Sequence, residues 1–205
     1  FRQAEPPEFF WLLLAGRLQV VKLTPDGRQV VVRYVGPGEF FGIAVAMGLP
    51  AYPATSTPVV ESTALVWPSA AWSCLVERCP AMGAGALQTV GARLHDAHGR
   101  VVEMSTQPVE QRIATALLRL ARQAGRPVSS GVAIDFPLSR QDVAEMTGTT
   151  LHTVSRVLSA WGARGLVGGG RQRIEIRDVA ALTSLAGIDA ADEPPQVGGG
   201  PPGLR

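Results

Sequence analysis

Between Phe9 and Trp67 the apolar positions come in short runs broken by turn residues. Trp11-Leu12-Leu13-Leu14 stops at Gly16, and Leu18-Gln19-Val20-Val21 runs into Thr24-Pro25-Asp26-Gly27. An Asp-Gly pair between two apolar runs is a strong hairpin signal. Val30 to Val35 resumes the extended pattern and halts at Gly36-Pro37-Gly38, while Val59-Val60 and Ala64 to Trp67 predict two further short strands. Many short strands at close spacing predict a barrel or a sandwich and argue against alternating strand-helix units.

The period changes at Pro80. From Ala81 to Met104 there is no proline, and apolar residues recur at Leu87, Val90, Leu94, Ala97, Val101 and Met104. Steps of three and four describe a coiled-coil seam, so these six residues are candidates for a dimer interface. A core helix packed on the barrel gives much the same pattern, and both readings stay open. Gln107-Pro108 then interrupts the helix, because proline lacks a donor and disfavours helix in the residue before it. A second amphipathic helix is predicted from Val109 to about Gln123, with Ile113, Ala116, Leu117 and Leu120 on one face, ended by Gly125-Arg126-Pro127. The expected division is residues 1–79 as a barrel, 80–106 as dimerisation helix and hinge, 107–188 as a DNA-binding unit, and 189–205 as a disordered tail, since Asp189 onward is rich in glycine and proline.

The most informative stretch runs from about Leu138 to Trp161. Ser139 is a good N-cap, and Asp142 three residues on can close a capping box. Val143, Ala144 and Met146 mark the buried side of a first helix, and Thr147-Gly148-Thr149 supplies a tight turn. Thr150 caps a second helix whose Leu151, Val154, Leu158 and Trp161 form an apolar stripe. Its other face presents His152, Ser155 and Arg156, together at the end that enters a major groove in a helix-turn-helix. Arg156 can bond bidentately to guanine, and Ser155 can meet a base or a phosphate. Ser139, Arg140, Gln141, Thr149, Thr150 and Thr153 flank that face and are further candidate DNA contacts. Leu166-Val167 and Ile174-Glu175-Ile176 read as two short strands around a glycine turn, a wing with Arg171 and Arg173 at its tip, placed for phosphates. A solvated charged turn is the alternative.

Composition adds limits. At 205 residues and 46% hydrophobic content the chain can bury one or two real cores, and a net charge of +2 does not by itself require a nucleic acid. Lys22 is the only lysine, so the basic residues are nearly all arginine, which suits phosphates and guanine edges but also fits an arginine-biased genome. Cys74 and Cys79 are too few for a disulfide framework and are expected to be reduced thiols. No apolar run approaches a membrane span and nothing reads as a signal peptide, so a cytoplasmic protein with no membrane partner is expected. The sequence opens at Phe1, without methionine and in what reads as a strand, so a preceding segment is expected.

Together these features resemble the CRP/FNR family of bacterial transcription regulators, over nearly the whole chain up to about Ala186. The Asp26-Gly27 hairpin and Gly36-Pro37-Gly38-Glu39-Phe40-Phe41-Gly42 resemble the family's effector barrel. The helix from Pro80 resembles its dimerisation helix, Val109-Glu110-Gln111-Arg112-Ile113 the start of its DNA-binding domain, and Thr150-Leu151-His152-Thr153-Val154-Ser155-Arg156 its recognition helix. The resemblance implies an α+β fold: a cyclic-nucleotide-binding-like jelly-roll barrel, a long dimerisation helix and a winged helix-turn-helix. It implies a homodimer on near-palindromic double-stranded DNA, acting with RNA polymerase, and no enzymatic activity.

The departures concern the signal. Cyclic-nucleotide binders of this family carry Gly-Glu in the phosphate cassette and, about ten residues later, Arg-Ser. Here Gly42 is followed by Ile43, and the second region reads Tyr52-Pro53-Ala54-Thr55, which argues against cyclic AMP. The iron-sulfur cysteine cluster of other members has no counterpart in this sequence. Ser155 and Arg156 match the FNR branch, but His152 stands where that branch carries glutamate, so the half-site is expected to depart from TTGAT there. The effector pocket is expected around Phe41, Gly42 and Ile43, with His95 and His98 on the helix wall. Those histidines read either as exposed helix residues or as ligands to a haem iron in a gas sensor; Cys74 and Cys79 as a redox sensor is a weaker reading. No metal site is predicted. A small-molecule-binding barrel whose helical module serves protein contacts is the competing function, and a constitutive regulator with a self-filled pocket is a third.

Overall fold

The computed structural model describes residues 1–188, so the tail predicted over 189–205 lies outside the described residues. The N-terminal half holds six strands: β1 (Phe9–Ala15), β2 (Leu18–Leu23), β3 (Gln29–Val35), β4 (Phe40–Phe41), β5 (Thr55–Pro58) and β6 (Thr63–Pro68). They form two antiparallel sheets, ordered β4-β1-β6 and β3-β2-β5. Leu13, Leu18, Val35 and Phe41 come from both sheets and pack into one core. The hairpin from β2 to β3 turns at Asp26-Gly27, where Gly27 N–H donates to Thr24 O at 2.9 Å.

Two expectations shift here. The strand predicted at Val59-Val60 lies just upstream, at Thr55–Pro58, and Val59-Val60 form a bend beyond it. A four-residue Thr-Ser-Thr-Pro strand carries no apolar alternation; its pairing with β2 is what extends it. Phe1 does not sit within a strand, since β1 begins at Phe9. Its ring instead stacks on Tyr52 and Trp11, at centroid distances of 4.2 and 5.2 Å.

Helix α1 (Trp72–Arg78) leads to α2 (Pro80–Thr106), with Pro80 at its first turn, where a missing N–H costs nothing. Gln107 is extended and Pro108 precedes α3 (Val109–Ala124), so the break falls at the Gln107-Pro108 step. Arg112 pins it, donating to Gln107 O at 3.0 Å and Thr147 O at 3.1 Å. Beyond α3 a hairpin of β7 (Gly125–Val128) and β8 (Gly131–Ile134), not anticipated from the glycine-proline content, joins β9 (Val167–Gly168) and β10 (Glu175–Ile176) in a sheet ordered β7-β8-β10-β9. Between them run α4 (Arg140–Thr147) and α5 (Leu151–Ala163), and α6 (Val179–Ala186) closes the unit against α3.

The second core is the larger, and it crosses from one half to the other. Val31 and Tyr34 of β3 belong to the same buried cluster as Ile113, Leu117, Phe136, Val143, Val154, Leu158, Trp161 and Leu182. The Tyr34 ring lies 4.5 Å from that of Phe136, and Arg17 stacks its guanidinium 5.5 Å from the Phe136 centroid. Gln19 Nε2 donates to Asp142 Oδ1 at 2.8 Å and to Tyr34 Oη at 3.2 Å. Burial, with Asp142 nearby, holds the Tyr34 hydroxyl well above the usual phenol range, so it is neutral in this contact.

Candidate nucleic-acid interface

Local chemistry sets the angle between α4 and α5. Ser139 Oγ accepts from Asp142 N–H at 3.0 Å, and Asp142 Oδ2 accepts from Ser139 N–H at 2.8 Å, a capping box closed in both directions. Gly148 ends α4 at φ 62°, a left-handed conformation that costs a side-chain-bearing residue energy, and a Cβ there would lie 3.4 Å from Met104 Cε. Thr150 Oγ1 then accepts from Thr153 N–H at 3.2 Å and starts α5. Removing the first cap by Ser139→Ala is expected to cost about 0.5–2 kcal/mol, read as a lower urea midpoint at unchanged slope.

Helix α5 buries Val154, Val157, Leu158 and Trp161 and leaves the opposite face open. His152 and Arg156 are exposed and Ser155 half-buried, so the structure brings together the three residues singled out from the spacing. Ser159, one turn beyond Ser155, is exposed on the same face and was missed; its position seven after His152 was the available signal. Leu151 departs from the predicted apolar stripe. It is 47% exposed, because the stripe turns away from the core at the first turn of the helix.

An open groove runs between the start of α4, the side of α5 that carries Leu151, Leu158, Ser159 and Gly162, and the wing; His152, Ser155 and Arg156 do not line it. Its lining includes Ser139, Arg140, Gln141, Ser159, Arg171 and Arg173. Arg140 and Arg171 are exposed with no carboxylate within 4 Å among the described residues, whereas Arg173 lies 3.9 Å from Glu175. Gln141 Nε2 donates to Glu145 at 2.8 Å, Thr149 is half-buried, and Thr153 shares a 3.0 Å hydroxyl contact with Thr150. The result is an open helix face flanked by free arginines, a shape and charge suited to a groove edged by phosphates.

The α2 seam divides in two. Leu87, Leu94 and Val101 are 74%, 56% and 63% exposed, a stripe of large apolar side chains left uncovered among the described residues. Val90 is half-buried, Ala97 lines a cavity beside the barrel, and Met104, though 47% exposed, reaches toward Gly148.

The expected effector pocket needs a larger correction. Phe41 and Ile43 are buried around Gly42, but Phe1, Trp11, Phe41 and Tyr52 stack across this region, with Trp11 to Phe41 at 5.4 Å. A Cβ at Gly42, which has φ +65°, would overlap the Trp11 ring. The space left beside them is about 60 Å³. His95 and His98 are both exposed and line neither cavity beside the barrel; the α2 side chains that face the barrel there include Arg93 and Arg100. The physical reason is helical phase, since residues 93, 97 and 100 share a face that 95 and 98 leave. Cys74 and Cys79 are exposed free thiols. No group of three or more His, Cys, Asp or Glu among the described residues is placed to hold a metal ion, and none of the described helices is long and apolar enough to cross a membrane.

Comparison with known proteins agrees with this geometry. Residues 1–79 match the model of the cyclic nucleotide-binding domain, and residues 111–185 match that of the Crp-like helix-turn-helix domain. The chain is 30% identical over 193 residues to the transcriptional regulator LdrP of Thermus thermophilus, covering 91% of this chain and 92% of that protein. It is 26% identical over 186 residues to the cyclic AMP receptor protein of the same organism, covering 91% and 83%. Among solved structures it superposes on FixK2 from Bradyrhizobium japonicum with a TM-score of 0.78 at 23% identity, covering 90% of each chain. With two domains of the right kinds in the right order, and a relative at 30% identity matched over 92% of its length, the chain belongs to the CRP/FNR family of DNA-binding transcription regulators.

Proposed function

We propose that the protein works as a homodimer on a near-palindromic DNA site, with the α2 stripe of Leu87, Leu94 and Val101 at the twofold seam and α5 in the major groove. In this reading His152, Ser155, Arg156 and Ser159 face base edges, while Arg140, Arg171 and Arg173 hold phosphates on either side. Thr150 and Thr153 set the start of the recognition helix, and RNA polymerase is the machinery the bound dimer acts on. The observation that carries the reading is the open α5 face beside a groove with free arginines on both walls.

Gel shift against pooled genomic fragments tests it. Saturable, strongly salt-dependent binding is expected, because displaced counterions dominate the affinity. Arg156→Ala is expected to weaken binding to the selected site by roughly 1–3 kcal/mol and to relax the preference at one base pair per half-site. Absence of saturable binding by the dimer would refute the proposal and favour a module that contacts protein.

Cyclic AMP does not fit this chain. The aromatic rings narrow the seat beside Gly42 to about 60 Å³, which continues into a hollow of about 350 Å³ between the barrel and α2, so it is the residues of the cassette that decide. Ile43 offers no acceptor for a ribose hydroxyl, and Pro53-Ala54 offers no charge for a phosphate. A thermal-shift titration with cyclic AMP is expected to leave the melting temperature unchanged.

A further inference from the structure

The barrel grips the start of the DNA-binding unit at two polar points beside the apolar core they share. Gln19 of β2 donates through Nε2 to Asp142 Oδ1 at 2.8 Å, and Gln29 of β3 donates through Nε2 to Glu145 Oε2 at 3.1 Å. Both acceptors are carboxylates of α4, one turn apart, and each also holds a side chain at the mouth of the groove beside the wing. Asp142 closes the capping box with Ser139, and Glu145 Oε1 accepts from Gln141 Nε2 at 2.8 Å. Two short chains of hydrogen bonds therefore run from paired barrel strands, through an α4 carboxylate, to Ser139 and Gln141.

These bonds supply what the packing lacks. Val31 and Tyr34 press the barrel onto Phe136 and Val143, but apolar contact has no direction and tolerates rotation. A hydrogen bond to a carboxylate is both stronger and angle-dependent. Two of them, one turn apart on one helix, fix its rotation about its own axis as well as its place. Gln19, Asp142 and Glu145 are half-buried, so water competes only in part for these contacts. The far end of α4 is held separately, where Arg112 donates to Thr147 O at 3.1 Å and to Gln107 O at 3.0 Å. Helix α4 is thus tied to the barrel at its start and to the break between α2 and α3 at its end. The open face of α5 takes no part in either anchor.

We propose that Gln19 and Gln29 are positioning residues for DNA recognition: they fix the orientation of the DNA-binding unit on the barrel, and so the spacing of half-sites that the dimer accepts. The inference rests on the reading of the chain as a dimer on two half-sites. Half-sites one turn apart call for reading helices about 34 Å apart. Moving one half-site by a single base pair displaces it by about 3.4 Å and turns it by about 34° around the DNA axis. A unit on a free hinge follows such a change, whereas one held at both ends of α4 does not. The clamp therefore governs spacing and leaves the bases read by each α5 unchanged.

The test uses the full chain in gel shift with a two-half-site DNA selected from the pooled fragments. Its spacer is lengthened or shortened by one base pair, and a single half-site is run beside it. The unmodified protein is expected to lose at least about ten-fold in affinity when the spacer changes, because the second half-site falls out of reach. In the Gln19→Ala, Gln29→Ala double variant that loss is expected to shrink below about three-fold, with affinity for the single half-site unchanged. Gln19→Glu sets two carboxylates against each other and is expected to relax the spacing in the same way. Adding Asp142→Asn restores an amide-carboxylate pair of reversed direction and is expected to restore the selectivity. Selectivity that survives in both the double variant and Gln19→Glu, or an unmodified protein indifferent to spacing, overturns the proposal. So does a weaker single half-site in the double variant, since the glutamines would then support the fold of the reading unit and not its orientation. Absence of saturable DNA binding by the unmodified protein removes instead the reading beneath.

Discussion

Leu94→Glu is expected to convert the protein into a folded monomer and to lower its affinity for a two-half-site DNA by roughly 10²–10⁴-fold. Leu94 sits mid-way along α2, between Leu87 and Val101 on the stripe that this chain leaves uncovered, and it is 56% exposed. A glutamate is a good helix former and meets no core residue at that position, so the single chain keeps its fold. In the proposed dimer the same residue would lie near the twofold axis. Each copy then loses roughly 1.5–3 kcal/mol of apolar burial, and two carboxylates are brought together in a dry seam. Half-sites bound independently lose the high effective concentration that a linked pair supplies, which is where the large factor arises. Sedimentation velocity reads the monomer, circular dichroism the retained helices, and gel shift on full and single half-sites the loss. A dimer that persists in Leu94→Glu would place the interface elsewhere.

Trp161→Ala is expected to cost roughly 3–5 kcal/mol, enough to unfold much of the DNA-binding unit when a whole domain holds about 5–15. Trp161 is fully buried at the centre of the larger core, among residues of α3, α4, α5 and α6. Its indole N–H donates to Glu110 Oε1 at 2.7 Å, tying α5 to the first turn of α3. Truncation removes the largest buried side chain of the unit and leaves a cavity that four helices cannot close together. Trp161→Phe separates the two contributions, since it keeps most of the volume and loses only the hydrogen bond, for about 1 kcal/mol. Urea unfolding followed by circular dichroism measures both. A small cost for the alanine variant would mean that the packing around α5 collapses freely.

The parts of the molecule legible in the sequence are those whose signals are local. The Asp26-Gly27 hairpin, the Ser139-Asp142 capping box, the Gly148 turn and the Thr150 cap each depend on residues within a few positions of one another. All are present as read. The exposed face of α5 follows from helical phase and one apolar stripe, so His152, Ser155 and Arg156 emerge together. The errors fall where phase is weak or where a partner element decides. Thr55–Pro58 is a strand because β2 is beside it, and Gly125-Arg126-Pro127, read as a terminator, opens a hairpin because β10 pairs with β8. Of the two readings of His95 and His98, the structure has the exposed helix residues, while the wall toward the barrel carries Arg93 and Arg100.

What the sequence determined alone was the set of modules and the reading helix, because caps, turns and amphipathic period act over short distances along the chain. Only the tertiary structure decided what the barrel holds and how it meets the rest. Aromatic rings from Phe1, Trp11, Phe41 and Tyr52, up to 51 positions apart in the numbering, converge on the seat beside Gly42. Arginines from two helices and a strand converge on the neighbouring hollow, and Tyr34 joins the core of the DNA-binding unit. Those juxtapositions depend on the folding of distant segments against one another, which no local pattern encodes.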